Sequence, residues 1–252
     1  MSGPRRADDA LGPLMDLPGV TEAAEAARVA LGTVHRHRAN LRSWPVTAAE
    51  SAVRGARASA ALDGGAIRLD AAGEDPVLAG ALRVAQSLEG GTTALVGVWG
   101  RAPLQALARL HALAAADLVD GDRLGRPRPE PDVVARLNLL TRLVAVDRST
   151  VSAPVLAAVA HGEILSLAPF GSADGVVARG VSRLVTMTTG LDPHGLGVPE
   201  VFWLRRAEEY REAAQAFATG DETNVCRWLV LCCQALEDGA REALSIAEAA
   251  AG

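Results

Sequence analysis

The stretch that decides the fold is LAPFGSADGVVARG, Leu167 to Gly180. Pro169, Gly171, Ser172, Asp174 and Gly175 are turn and cap residues, and VVARGVSRLV after them reads as a helix. Loops that feed a helix in this way often hold phosphate on the free N–H groups of its first turn. This loop carries no His, Lys or Asn, and it offers an Asp where an anion would sit.

The flanks are helical. APVLAAVAHGEILSL leads into the loop from about Ser152, and the helix after it runs from Gly175 to about Thr189. Upstream, a helix is expected from Thr21 to Leu41. Another starts at a Thr47-x-x-Glu50 capping box and stops at Gly64-Gly65. AIRLD, from Ala66, reads as a short extended piece. A helix over Pro76 to Leu88 takes Asp75 as its cap. The apolar segment around residues 92–101 fits either type, and APLQALARLHALAAADL is an amphipathic helix. VDGDRLGRPRPEP, ending at Pro131, is an exposed charged loop, followed by a helix from Asp132 to Asp147. Two last helices span Val201 to Thr219 and Glu222 to Ala249. The sum is eight or nine helices, an all-α chain. Residues 1–17 are expected to be loose, residues 18–45 to form an N-terminal helix, and residues 46–250 to form the main domain.

Composition narrows the chemistry. Hydrophobic residues make up 49% and charged residues 22% of the 252, as in folded soluble domains. With 3 Phe, 4 Trp and 1 Tyr, the core must be built from Ala, Leu and Val. All 25 basic residues are Arg, which excludes a Lys Schiff base and a Walker-type phosphate Lys. A net charge of -5 leaves no footprint for nucleic acid. Cys226, Cys232 and Cys233 lie in one helix, without the further ligands that zinc needs, and read as reduced thiols. No metal site is expected. No run is long enough for a signal peptide or a membrane span, so a cytoplasmic location without membrane contact is expected. HRHRANLR, from His35, reads as a solvated helix face, with a metal or nucleic-acid site as the alternative.

The loop and its flanks resemble the Fic (Fido) family, whose signature reads His-Pro-Phe-x-Asp/Glu-Gly-Asn-Gly-Arg-x-x-Arg. Ala168 to Arg179 align with it, and Pro169, Phe170, Gly175 and Arg179 match. The helix with His161, the helix with His111, and DRLGRPRPEP as a target-docking flap fall in the family's order. So do the Tyr210-bearing and Trp228-bearing helices. SAALDGG is similar to the family's inhibitory motif, with Ser59, Asp63 and Gly64 in place. The resemblance implies an all-α Fic-like domain with little or no strand beyond a short flap. It implies AMP transfer from ATP to a protein hydroxyl. In that chemistry the motif His is the base, the motif acid holds Mg²⁺, and the Asn, the Gly residues and two Arg hold phosphate. The inhibitory acid pairs with the second Arg.

The departures fall on those positions. Ala168 replaces the base, a loss that typically costs about 10²–10⁴-fold in rate. Ser172 replaces the Mg²⁺ carboxylate, and Val176 replaces the first Arg. Asp174 replaces the Asn and is expected to N-cap the helix at Gly175, placing its charge where phosphate would go. Asp63 is expected to pair with Arg179. Arg183, one turn on, faces either an anionic neighbour or solvent, and with Arg179 is a possible anion site. His161 and His111 read as core residues, and His194 as an exposed loop residue. The expected function is a pseudoenzyme that binds a protein partner or self-associates, with ATP and Mg²⁺ only if residual activity remains. The alternative is a nucleotide-using transferase with altered chemistry.

Overall fold

A computed structural model describes residues 11–89, 94–144 and 152–251. Twelve α-helices account for the described fold: α1 (Gly12–Met15), α2 (Val20–Arg36), α3 (Arg38–Leu62), α4 (Pro76–Leu88), α5 (Ala94–Arg101), α6 (Pro103–Ala114), α7 (Pro131–Val144), α8 (Ala153–Leu167), α9 (Asp174–Thr188), α10 (Pro199–Arg205), α11 (Ala207–Phe217) and α12 (Glu222–Ala249). No strand occurs among the described residues; AIRLD is irregular chain leading into a single 3-10 turn at Leu69–Ala71. The flap residues 119–130 are turns and extended chain. No helix is long and apolar enough to cross a membrane, among the described residues.

The core is organised around α8. Eleven of its 15 residues are buried, from Pro154 and Val155 to Ile164 and Leu167, so it has no solvent face. A helix apolar on all sides must be surrounded, and α9, α12, α11 and α7 pack on it. Each Val, Leu or Ile fully buried there contributes about 1.5–3 kcal/mol relative to exposure. Small residues let the helices approach: a side chain at Gly162 would collide with Phe217 and Trp228. Trp228 is itself fully buried and donates from Nε1 to the Ala158 carbonyl at 2.8 Å.

The N-terminal helices pack on the C-terminal one. α2 packs chiefly on α12, and Ala27, Leu31 and Val34 share a core cluster with Leu236 and Ala240. α3 runs through residue 45, where a domain boundary was expected. Residues 1–10, most of the stretch expected to be loose, lie outside the described residues. Leu11 is buried, and Gly12–Met15 is helical.

Several helix boundaries differ from the sequence reading. The Thr21–Leu41 helix breaks at His37, whose extended backbone caps α3. The Thr47–Glu50 capping box does not form. Pro45 lacks an N–H and kinks α3 at Ser43, so Thr47 lies inside a helix already running. Its buried hydroxyl donates to Asn40 Oδ1 at 2.7 Å, and Glu50 pairs with Arg54 at 2.8 Å. The helix expected from Val201 to Thr219 divides at Arg206, which leaves helical geometry at φ -122°. The end of α3 is as expected. Gly64, at φ 83°, is left-handed, and the N–H groups of Gly65 and Gly64 close back on Ala60 and Ala61. Asp75 caps α4 through the Leu78 N–H at 2.7 Å. Residues 92 and 93 of the undecided segment, and 145–147 of the helix expected to Asp147, lie outside the described residues. Ala94–Arg101 is helical.

Candidate active-site loop

The loop between α8 and α9 is held in a strained conformation. Ala168 and Ala173 both have positive φ, 42° and 51°, and no other non-glycine residue does so among those described. The left-handed region costs a Cβ-bearing residue about 1–2 kcal/mol, so the surroundings must enforce it. Two elements do this. The flap supplies Arg128, whose backbone N–H donates to Pro169 O at 2.7 Å. Its guanidinium donates to the carbonyls of Leu167 and Ala168, each at 3.1 Å. A cation at the last carbonyls of α8 also complements the helix dipole. Pro127 and Pro129 flank Arg128 and favour the extended backbone that this pairing needs.

α6 supplies His111. Its ring stacks on Phe170 with centroids 4.1 Å apart and planes at 4°. Nδ1 accepts from the Gly125 N–H at 2.9 Å, which places the ring proton on Nε2, where it donates to Ser172 Oγ at 3.0 Å. Burial pushes the His111 pKa down to about 4, so the ring is neutral at pH 7. Ser172, which the resemblance aligns with a Mg²⁺-ligand position, is thus a hydrogen-bond partner of the core.

Asp174 does not cap α9. The helix starts one residue earlier than expected, Ala173 occupies the cap position, and no side chain caps it. The Asp174 carboxylate turns back into the loop and accepts from the Phe170 N–H at 3.0 Å. Burial pushes its pKa up to about 6. The N–H groups of Phe170, Gly171 and Ser172, and the charge of Arg128, oppose that shift. The charge therefore fills the loop's own amide nest rather than the first turn of the helix.

The first turn of α9 meets a different carboxylate. Asp63, at the end of α3, lies against Gly175: both its oxygens are 2.5 Å from where a Cβ on Gly175 would stand. Asp63 Oδ2 pairs with Arg179 at 2.8 Å, the contact expected from the sequence. Arg179 is 2% exposed, and every nitrogen of its guanidinium is engaged. Nε donates to Ser59 Oγ at 2.7 Å and Nη2 to Ser59 O at 2.9 Å. Nη1 donates to the Tyr210 hydroxyl at 3.4 Å. Burial opposes the charge, and the Asp63 carboxylate and Tyr210 oxygen outweigh it, holding the Arg179 pKa above its ordinary value. Tyr210 passes the network on to His161 Nε2 at 2.8 Å. Burial, reinforced by the Arg179 charge, lowers the His161 pKa well below the ordinary value, making it a neutral core residue.

Arg183 belongs to a separate buried pair. Glu200 receives Nε and Nη2 at 2.6 and 2.7 Å. Gly55 leaves the room for this fork, since a Cβ there would clash with the guanidinium. Arg179 and Arg183 are therefore both spent on internal partners, and neither presents a free anion site. His194 is not an exposed loop residue. It is half-buried and stacks on Trp44 at 4.0 Å. Of these contacts, sequence reasoning expected the pair of Asp63 with Arg179. It missed Glu200, the Ser172 bond of His111, and the Arg128 clamp, of which only the last had a signal, in its flanking prolines.

Mg²⁺–ATP does not fit the residues present. The metal position offers a hydroxyl already bonded to His111, the amide nest holds a carboxylate, and the surviving Arg is saturated.

No family model and no curated protein matches this chain. Solved structures do match. A Fic family protein from Desulfovibrio desulfuricans G20 aligns with a TM-score of 0.68 and 19% identity, over 90% of this chain and 74% of that one. Fic-1 (residues 134–508) from C. elegans aligns with a TM-score of 0.72 and 15% identity, over 94% and 75%. The fold is that of Fic family proteins. At these identities the likeness is one of fold.

Proposed function

We propose that this chain is a Fic-fold pseudoenzyme that acts through a protein partner or through assembly, without transferring nucleotide. The observation that carries this reading is the double occupation at the start of α9. Asp174 fills the loop amides, and Asp63 lies on Gly175 while holding Arg179. A triphosphate there would meet two carboxylates and no free cation, and Ala168 has no proton acceptor to offer. The free thiols of Cys226, Cys232 and Cys233 fit a reducing cytoplasm.

Calorimetric titration with ATP, with and without Mg²⁺, tests the reading. No saturable binding tighter than about 1 mM is expected. Tighter binding, or label transfer from ATP to any protein hydroxyl, would overturn it in favour of a transferase with altered chemistry.

A further inference from the structure

The kink in α3 creates a surface that the active-site loop does not account for. Pro45 bends the helix at Ser43, and the bend leaves Leu41 and Val46 exposed at 70% and 64%. These are the two most exposed large apolar side chains among the described residues. Val46 lines a groove of about 500 Å³ at the kink, with Arg38, Arg42 and Ser43 on the same side and Ala250 and Ala251 on the other. Arg38 and Arg42 are exposed and make no ion pair among the described residues, whereas Arg28, Arg54, Arg136, Arg179 and Arg183 all do. They sit four residues apart, where like charges repel. Arg36, also exposed and unpaired, adds to the positive field in a chain whose net charge is -5. A concave site with two guanidinium groups outside any ion pair and the apolar Val46 beside them has the chemistry of a carboxylate-and-apolar binding groove.

We propose that this groove docks an acidic peptide segment of a partner protein, one that alternates carboxylates with apolar side chains. Arg38 and Arg42 take the carboxylates, and Val46 covers the apolar side chains. The groove is concave, which suits a chain lying in it better than a lipid surface pressed against it. The idea of a partner rests on the pseudoenzyme reading; the groove's geometry does not.

The test uses the full chain and a short labelled peptide alternating Glu with Leu, followed by fluorescence anisotropy. Saturable binding in the micromolar range is expected, weakened by salt. Arg38→Glu/Arg42→Glu should weaken it by about tenfold or more, and Val46→Ser should weaken it as well. All three side chains are exposed, so thermal melting should be unchanged. If a charge-reversed chain misfolds, Arg42→Gln gives the same reading with a smaller change. Equal binding to a Lys–Leu peptide, or no effect of the Arg substitutions, would overturn the proposal. Tighter, Arg-dependent binding to phosphatidylserine vesicles than to the peptide would overturn it in favour of a membrane surface. The peptide result and the ATP titration fail independently. A chain that binds both loses the pseudoenzyme reading and keeps the groove.

Discussion

Asp174 turns a residue-level substitution into a measurable energy. Its pKa is raised in the folded chain, from 3.8 to about 6, so folding favours the protonated acid. The stability it contributes is complete below its unfolded pKa and is lost as pH rises through about 6. At pH 8 the buried charge is a burden. Asp174→Asn keeps an acceptor for the Phe170 N–H without that charge. It should raise stability at pH 8 by about 1–2 kcal/mol, allowing for partial solvent screening, and leave it little changed near pH 4. Denaturant unfolding at the two pH values checks this; an Asn variant less stable at pH 8 would refute it. Ala173→Gly should relieve left-handed strain and stabilise by about 1 kcal/mol in the same assay. The sequence placed an acid at this loop correctly. It could not say which amides the acid would face, because the helix starts at Asp174 itself, so its side chain meets the loop amides and not the first turn.

At the scale of elements, two ion pairs of different character hold α9: Asp63, just past the end of α3, takes Arg179, and Glu200 of α10 takes Arg183. In the Arg183–Glu200 pair the carboxylate is buried and the guanidinium largely so, and Glu200→Gln leaves a cation without its counter-charge. A loss of about 3–5 kcal/mol in chemical denaturation is expected. Asp63→Asn should cost less, about 1–2 kcal/mol, because Arg179 keeps Ser59 and Tyr210 as partners and Asp63 is partly solvated. Equal losses in the two variants would show that partner number does not set the cost. Helix boundaries were legible where a local residue dictates them, as at Asp75 and Gly64. The division at Arg206 has neither Gly nor Pro to announce it. The misread capping box at Thr47 shows the converse, a correct local pattern overridden by a proline two residues earlier.

For the whole molecule, the all-helical architecture followed from hydrophobic periodicity and loop punctuation, and the resemblance ordered the helices. What sequence could not supply was the pairing of distant polar groups: Arg54 with Glu242 at 2.6 Å, or His35 with Asp192 at 2.8 Å, joins elements far apart in the chain. A ligand that binds only the folded state raises the melting temperature by mass action. Millimolar Mg²⁺–ATP should therefore leave it unchanged, and a concentration-dependent rise would contradict the closed site.

His111 joins the flap to the loop through a single ring, Gly125 on one nitrogen and Ser172 on the other, while Arg128 joins them again through Pro169. Two independent tethers between the same pair of segments make them one kinetic body. In native-state hydrogen exchange, the amides of Gly125 and Arg128 should open together, with a shared free energy of opening, although they lie on different turns of the flap.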